Sequence, residues 1–210
     1  MITIKTFSLG PMQNNSYLII DGSTKSAALV DPSYESEKVV KAALDNGLRI
    51  SHILITHAHF DHIIGIPSVI KSLSIDPEIA MCSADLPLWK EKGDASAFGI
   101  SLPSLPEPTI LLSNGGEIFL GSTNISVIHT PGHTPGHLAY YITDVNSVLV
   151  GDLIFYRSIG RTDLPGGDQT QLIDSINNRI LSLPGTTRIL PGHGPSTTVA
   201  DEISFNPFLI

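Results

Sequence analysis

Short stretches of apolar and β-branched residues, separated by turn-forming residues, recur along the chain and predict more strands than helices. Turns at Gly-Pro (10–11) and Asp-Gly-Ser (21–23) divide the beginning into a three-stranded meander. Apolar residues at helical spacing, namely Val39, Val40, Ala43 and Leu44, predict a helix over residues 36–46 that Gly47 ends. The other elements predicted in the first half are strands at 2–9, 16–21, 27–30, 50–56 and 79–82, and short helices at 67–73 and 84–92.

The second half repeats this plan with several short strands and one longer helix. The helix is predicted over residues 170–181, with Thr170 or Asp168 as its N-cap, and its apolar face is Leu172, Ile173, Ile176 and Ile180. Residues 93–113 hold three prolines and no clear period, so they are either the rim of a substrate cleft or a plain connector. The predicted strands are 118–120, 125–128, 138–142, 148–150 and 188–190.

Two sheets packed face to face, with helices outside, would bury this pattern, because strands outnumber helices and helices flank each half. The chain is 210 residues long and 41% hydrophobic, which is enough for one substantial core. No composition shift or low-complexity tract marks a boundary. We therefore predict an α/β protein with a single domain over residues 1–210.

Charge and composition exclude several classes of function. Twelve basic against 20 acidic residues leave a net charge of −8, so no nucleic-acid partner and no anionic membrane surface are expected. Cys82 is the only cysteine, so no disulfide forms within the chain, and it is expected to be a small buried hydrophobe. The first nine residues do not read as a secretory signal, and no apolar run reaches the roughly 20 residues of a membrane span. We expect a soluble, cytoplasmic protein.

Seven imidazole and carboxylate groups form the most informative pattern. Four of them fall within six residues, and a glycine that permits a tight turn stands beside each of the other three. Such groups are ligands for Zn, Fe and Mn, and seven are too many for one tetrahedral ion. They suit two ions that share a carboxylate and a water. The donors are His57, His59, Asp61, His62, His133, Asp152 and His193.

The spacing inside the first cluster has a geometric meaning. His57 and His59 are two residues apart, so they point the same way in an extended segment but not in a helix. Both follow the predicted strand 50–56, and a loop at the end of a strand is a usual place for chemistry. Asp61 and His62 come after the turn of the chain and can reach a second ion. Asp61 could also orient the hydroxide that bridges the two ions.

His-x-His-x-Asp-His followed by a later His, Asp and His resembles the metallo-β-lactamase superfamily, and within it the short, single-domain glyoxalase II-like hydrolases. The resemblance runs along nearly the whole chain, because Asn-Ser-Tyr-Leu-Ile at 15–19, Leu-Val-Asp-Pro at 29–32 and Gly-Arg-Thr-Asp at 160–163 also fit. The closing Asn-Pro-Phe at 206–208 fits as well. The resemblance implies an αββα sandwich with two mixed sheets and the metal centre at one edge.

The resemblance also implies which residue binds which ion. His57, His59 and His133 would hold the first ion, Asp61, His62 and His193 the second, and Asp152 would bridge them. Zinc is the expected metal, with iron and manganese as alternatives. The implied reaction is thioester hydrolysis by a hydroxide between the metals, on S-lactoylglutathione or a related acyl thioester. Only 17 residues follow His193, so we expect the glutathione contacts of the C-terminal helical domain of full-length glyoxalase II to be absent.

Three alternatives stay open at this point. Persulfide dioxygenases share the fold and the Gly-Arg-Thr-Asp segment but use one iron, held at the positions of His57, His133 and Asp152. Hydrolysis of another ester or a lactone would use the same two ions. A non-catalytic binding module is disfavoured by the complete donor set, and the absence of a cysteine ligand separates the chain from lactamases that have one.

Several further residues have two possible roles each. Asp31 either orients a ligand histidine or begins an Asp-Pro turn. His137 is expected to support the site without binding metal, and His52 and His129 to be ordinary strand residues. Arg161 either grips a substrate carboxylate or pairs with Asp163 or Asp168.

Two residues that precede Arg161 in the same loop have less sharply defined expected roles. Arg157 is expected to stabilise the loop through an ion pair, and Tyr156 to stack on or hydrogen-bond the substrate.

Overall fold

Each half of the chain builds one six-stranded sheet. The computed structural model describes residues 1–209. In the first sheet the strands lie in chain order, with antiparallel pairs among the first three and parallel pairs among the rest. They are β1 (Ile2–Leu9), β2 (Asn14–Asp21), β3 (Ser26–Val30), β4 (Arg49–Leu54), β5 (Glu78–Cys82) and β6 (Ile110–Leu112).

The second sheet is also mixed, and its order from edge to edge is β14-β13-β10-β9-β8-β7. In this sheet only β10 and β13 pair in parallel, because the chain between them crosses over through a helix at Gln169–Ser175. A two-stranded ribbon, β11 with β12, leaves this sheet after β10. The strands are β7 (Glu117–Leu120), β8 (Thr123–His129), β9 (Leu138–Ile142), β10 (Ser147–Gly151), β11 (Ile154–Phe155), β12 (Ser158–Ile159), β13 (Arg188–Pro191) and β14 (Thr197–Thr198).

Short helices cover the outer faces of both sheets. The first sheet carries α1 (Glu37–Asp45), α2 (Phe60–Ile63), α3 (Ile66–Ser72) and α4 (Leu86–Lys90). The second carries α5 (Gln169–Ser175), which continues as a π-helical turn over Ile176–Ile180, and α6 (Val199–Phe205). Across residues 1–209, every helix is too short or too polar to span a bilayer.

Successive residues of a strand point to opposite faces of its sheet, and their buried apolar side chains form three layers. Tyr17, Val30, Leu54 and Cys82 of the first sheet meet Tyr140 and other residues of the second in the central layer. Their strand neighbours, such as Leu29 and Ile53, point outward and pack under α1 and α3. A third layer lies between the second sheet and helices α5 and α6. The predicted αββα sandwich is confirmed.

Some predicted elements were wrong in extent. Residues 93–113 are not free of regular structure, since they contain β6 and part of a 3₁₀ segment, Lys92–Phe98. Strand β4 ends at Leu54, before the predicted end at 56, because the Thr56 amide donates to the Asp31 side chain. Leu44 is half exposed and does not belong to the buried face of α1. Asp168, not Thr170, caps α5 by accepting from the Gln171 amide.

Several elements have no counterpart among the predictions. The ribbon β11–β12 and the edge strand β14 were missed, as were the strand β6 and the helices α2 and α6. The first two consist of two residues per strand, which is too short for a periodic pattern. Helix α6 did have a signal, because Thr198 is an N-cap that accepts from the Asp201 amide.

Candidate metal centre

The seven candidate donors lie on loops that leave both sheets at the same edge of the sandwich. The segment 57–62 follows β4 and runs into α2. His133 lies in the turn from β8 to β9, Asp152 follows β10, and His193 follows β13. Each half of the chain therefore contributes to one cluster, four donors from the first half and three from the second.

All seven sequence-predicted donors come together. They form three overlapping groups in which the potential ligand atoms lie within 4.8 Å of one another. Asp152 is central, because its carboxylate oxygens lie 3.3 Å from His62 Nε2, 3.7 Å from His193 Nε2 and 4.0 Å from His133 Nε2. A carboxylate shared by two ions requires such a position. The groups are His57, His59 and His133; His57, His62 and Asp152; and Asp61, His62 and His193.

Hydrogen bonds to backbone carbonyls fix the tautomers of two histidines. His133 Nδ1 donates to the Arg161 carbonyl at 2.8 Å, and His193 Nδ1 donates to the Met12 carbonyl at 3.1 Å. A carbonyl can only accept, so Nδ1 carries the proton and the Nε2 lone pair faces the cluster. His59 is turned the other way, since its Nδ1 lies 2.9 Å from His133 Nε2.

Asp31 orients two more histidines. Its carboxylate accepts from His62 Nδ1 at 2.9 Å and from the amide and hydroxyl of Thr56 at 2.8 and 2.7 Å. Because the Thr56 hydroxyl gives its proton to Asp31, its oxygen accepts from His57 Nδ1 at 3.0 Å. These are the contacts that the orienting role predicted for Asp31 requires. Asp31 is not a member of the three donor groups.

The seven side chains fit divalent transition-metal ions as their ligands. His57 Nε2, His62 Nε2 and Asp152 Oδ1 are buried without a hydrogen-bond partner. An unpaired buried polar group costs about 1–3 kcal/mol, so three in one place need an explanation. A cation accepts the lone pairs of neutral imidazole and carboxylate and so accounts for all three.

The charges of the buried groups fit the same interpretation. Burial lowers the pKa of His57 well below its ordinary value and that of His59 to about 3, so both are neutral ligands. Burial opposes the charge on His62 as well, but Asp152 and Asp61 outweigh it and raise the pKa well above its ordinary value. Burial also acts against the charge of Asp61, yet His62 and His193 hold its pKa at about 2. A proton on His62 and a divalent ion are thus alternative ways to balance two carboxylates.

Sequence reasoning missed Asp85, which links the two main ligand loops. This buried carboxylate accepts from the Ala58 amide at 3.1 Å, from the Thr134 hydroxyl at 2.8 Å and from the Gly136 amide at 2.6 Å. Burial raises the pKa of Asp85, although these donors act in the opposite direction. Asp85 therefore positions His57 and His133 through the chain segments next to them. No local sequence motif predicts this role.

The beginning of β2 holds the His193 loop. The Asn15 side chain donates to the carbonyls of Pro191 and Gly194 at 3.0 and 2.8 Å, and the Tyr17 hydroxyl donates to that of Pro191 at 2.6 Å. The Asn-Ser-Tyr motif thus acts as a structural clamp across the two sheets.

Close packing explains two of the glycines beside the donors. A Cβ at Gly192 would overlap Asp152 Oδ1 and lie 2.7 Å from His62 Cε1, so any side chain there would displace donors. Gly151 has a φ of 46°, and a Cβ there would overlap the Thr56 hydroxyl. The expected tight turn applies to Gly151, whereas Gly192 is required by its neighbours.

A cavity of about 100 Å³ opens over the donors. Its walls combine four donors with the apolar side chains of Met12, Phe98 and Leu164, and with Arg161. Phe98 belongs to the segment 93–113, which therefore does contribute to the rim of the cleft. A larger cavity, of about 530 Å³, surrounds His52 at the opposite end of the first sheet and contains none of the donors.

The two residues predicted to bind substrate lie in different places. Arg161 lines the cleft, but its guanidinium donates two hydrogen bonds of 2.7 Å to Asp163. Tyr156 is half exposed and lies beside His193 with Phe155, on a separate shallow cavity of about 280 Å³.

The remaining sequence-predicted residues lie outside the donor groups. His137 is buried, its Nδ1 bonds to the Thr130 hydroxyl at 2.9 Å, and its ring stacks on His57 with centroids 5.2 Å apart. The His52 ring bonds to Ser51 at the far end of β4, and the His129 ring to the Pro135 carbonyl. Arg157 packs its guanidinium 4.3 Å from the centroid of the Phe205 ring, in place of the predicted ion pair.

Comparison with known proteins identifies the family. The model of the metallo-beta-lactamase superfamily matches residues 9–193, a span that includes all seven donors. The chain belongs to the metallo-β-lactamase superfamily. The probable metallo-hydrolase YqgX of Bacillus subtilis is 38% identical over 205 residues, 96% of this chain and 94% of the relative. Hydroxyacylglutathione hydrolase GloC of Haemophilus influenzae is 32% identical over 211 residues, 99% of this chain and 98% of its own.

Solved structures show the same superfamily fold. BLEG-1, a B3 metallo-beta-lactamase, has a TM-score of 0.91 at 36% identity, with 99% of both chains covered. TTHA1623 in a di-iron-bound form has a TM-score of 0.88 at 41% identity, covering 98% of this chain and all of its own. ETHE1 from Myxococcus xanthus has a TM-score of 0.80 at 25% identity, covering 98% of this chain and 83% of its own. The chain is thus a member of a superfamily of metal-binding proteins composed mostly of hydrolases.

Proposed function

We propose that this metallo-β-lactamase-fold protein is a binuclear metal-dependent hydrolase of thioesters, with glutathione thioesters such as S-lactoylglutathione as the first candidates. The central position of Asp152, within 3.3–4.0 Å of a nitrogen of His62, His193 and His133, carries the proposal. It gives the donors one shared carboxylate and a group on each side. The similarity to GloC supports the thioester, and that to a di-iron protein supports two ions.

The residues divide between the ions as follows. His57, His59 and His133 would hold one ion, Asp61, His62 and His193 the other, and Asp152 both. When bound, the ions supply a hydroxide nucleophile near neutral pH and polarise the carbonyl of the substrate. Zinc, iron and manganese all suit these nitrogen and carboxylate donors.

Asp61 has a catalytic role beside its role as a ligand. Its pKa of about 2 keeps the carboxylate charged at neutral pH, although burial opposes that charge. A charged carboxylate accepts a hydrogen bond and can hold the nucleophile in line with the carbonyl carbon. It cannot donate a proton to a leaving group.

The shortage of proton donors in the cleft favours a thioester over an amide. Among the described residues that line it, Arg161 is the only donor group outside the metal donors, and a guanidinium does not give up its proton. A thiol has a pKa of about 8.5, so a thiolate leaving group departs without protonation, whereas an amine leaving group needs a proton. Met12, Phe98 and Leu164 supply an apolar wall for the acyl chain or the thiol carbon atoms.

The test is hydrolysis of a panel that contains S-lactoylglutathione, other acyl thioesters, a lactone and a chromogenic β-lactam. Metal-loaded protein is expected to cleave a thioester fastest and to bind two ions per chain by elemental analysis. A protein that ignores every thioester, holds one iron and consumes oxygen with glutathione persulfide would be an oxygenase instead. Fast cleavage of the lactam or lactone alone would replace the substrate class and keep the binuclear chemistry.

Arg161 offers a second, independent test of the substrate. If it grips an anionic end of the thioester, Asp163 competes with the substrate for the guanidinium. Arg161→Ala should then raise KM with little change in kcat, and Asp163→Asn should lower KM. Unchanged kinetics in both variants would limit Arg161 to a role in the loop.

A further inference from the structure

Asn14 contacts two candidate metal ligands, Asp61 and His193, although the sequence pattern did not mark Asn14 as part of the site. This first residue of β2 is fully buried. Its Nδ2 donates to Asp61 Oδ2 at 2.8 Å and lies 3.3 Å from His193 Nε2. The backbones of Asn14 and His193 also form an isolated antiparallel bridge.

The chemistry of the partners fixes the orientation of the amide. An ionised carboxylate only accepts, so the NH₂ end of Asn14 has to face Asp61. The other end, Oδ1, is buried and has no hydrogen-bond partner. Leaving such an atom unpaired costs stability, whereas an apolar residue of the same volume would avoid that cost. The amide is therefore more useful to the site than to the core.

The position of Asn14 between the sheets suggests this use. Asp61 lies on α2, which follows the first sheet, and His193 follows β13 of the second sheet. Asp61 Oδ2 lies 3.3 Å from His193 Nε2 and 3.6 Å from His62 Nε2. Asp61 and His62 are neighbours on α2, whereas His193 comes from a segment of the other sheet, and all three must keep these separations before an ion arrives. Asn14 joins the two segments, because its side chain holds Asp61 and its backbone pairs with that of His193.

No equivalent amide contacts the group His57, His59 and His133 among the hydrogen bonds of residues 1–209. His133 is held by a backbone carbonyl and His57 by a threonine hydroxyl. A change at Asn14 should therefore act on one ion and leave the other nearly unaffected.

We propose that Asn14 is a positioning residue that sets the affinity of the site formed by Asp61, His62 and His193, and thereby decides whether the protein carries one ion or two when metal is scarce. This inference rests on the proposed binuclear function. Asn14 has no part in the chemistry once both ions are bound.

The experiment compares stepwise metal binding of wild type and Asn14→Leu, which removes the amide at similar volume. Zn²⁺ is titrated into chelator-treated protein against a chromophoric competitor. One of the two dissociation constants, that of the site with Asp61, His62 and His193, is expected to rise about 10–100-fold in the variant, and the other to stay within about twofold. With Mn²⁺, the electron paramagnetic resonance spectrum at two equivalents should change from that of a coupled pair toward that of isolated ions.

Kinetics separate positioning from catalysis. At limiting metal Asn14→Leu should lose most of its activity, and excess metal should restore kcat with KM unchanged. Asn124→Leu is the matched control, because Asn124 is exposed and bonds only to Glu117 on the second sheet. Asn14→Ser, which keeps a short donor, covers the case in which the leucine variant fails to fold and should give an intermediate affinity.

The outcomes distinguish the two proposals. Wild-type protein that never binds more than one ion would remove the binuclear function and this inference with it. Wild type that binds two ions, with both constants unchanged in Asn14→Leu or Asn14→Ser, would overturn the role of Asn14 alone. A parallel Asp61→Ala titration shows that the assay detects loss of that site.

Discussion

Replacing Asp31 by asparagine tests how far one buried carboxylate controls the metal centre. Asp31 accepts three hydrogen bonds, two from Thr56 and one from His62, and it is nearly inaccessible to solvent. Asparagine has the same shape but only one acceptor oxygen. At least one of the three donors must then face an NH₂ group, and the two possible orientations of the amide have different consequences.

In one orientation the NH₂ group faces the Thr56 amide, which cannot rotate to avoid it. One unpaired buried donor costs about 1–3 kcal/mol, so the free energy of unfolding should fall by about 2 kcal/mol. In the other orientation the NH₂ group takes the place of Oδ2 and faces both the Thr56 hydroxyl and His62 Nδ1, and each of these becomes an acceptor. The proton then moves to Nε2, the atom that lies 3.3 Å from Asp152 Oδ1, and His62 can no longer bind metal.

The second orientation sets the size of the effect on metal binding. Loss of a partner that orients a ligand typically costs about 10–100-fold in metal affinity, equivalent to about 1.4–2.8 kcal/mol. We expect the loss at the site where His62 is a ligand, with a smaller loss at the site that contains His57. Urea unfolding of the metal-free protein measures the first cost, and competitive Zn²⁺ titration measures the second.

Asp144→Asn serves as the control, because Asp144 is exposed on a turn far from the donors. The reasoning fails if Asp31→Asn keeps both the unfolding free energy within about 0.5 kcal/mol and both metal constants within about twofold. In that case the hydrogen bonds of Asp31 would not determine the tautomer of His62.

Three further predictions follow from the centre. Asp152→Ala should bind neither ion tightly and lose turnover, whereas His52→Ala should keep both, as checked by elemental analysis and thioesterase rate. Asp85→Ala removes three acceptor contacts and should lower the free energy of unfolding by about 3 kcal/mol in a urea titration. Burial depresses the pKa of His59 to about 3, so its stabilising contribution is present above about pH 6.5 and lost as the pH falls toward 3. In urea unfolding of the metal-free proteins, the free energy of unfolding of His59→Asn should therefore rise relative to that of the wild type as the pH falls over this range. A difference between the two free energies that does not change with pH would contradict the buried neutral state.

The donors could be predicted from the sequence because the metal restricts them to few residue types at short spacing. Four lie within one run of six residues, and the strand before them already predicted their loop. Asp85 and Asn14 could not be predicted in this way. Their partners lie between 27 and 179 residues away along the chain, so only the folded backbone brings them together.

The fold followed from apolar patterning wherever an element was long enough to show it. Strand β1 has the predicted bounds, since its eight residues alternate and its partner β2 is buried along its whole length. Strand β6 was missed because only three residues pair with β5, directly after a proline-rich stretch. The Arg161–Asp163 pair was one of two alternatives, and sequence alone could not choose between them, because the choice depends on whether substrate is bound.

The division of the donors between the halves of the chain has a consequence for how the protein matures. Residues 1–112 form one sheet and supply four donors, while the other three arrive only after the second sheet has docked. Bound ions then act as cross-links between two lobes that a ribosome delivers one after the other. An ion whose free concentration is 100 times its dissociation constant adds about 2.7 kcal/mol to the stability of the native state. Proteolytic lifetime in the cell should therefore follow the supply of metal, and starvation for metal should remove the protein itself as well as its activity.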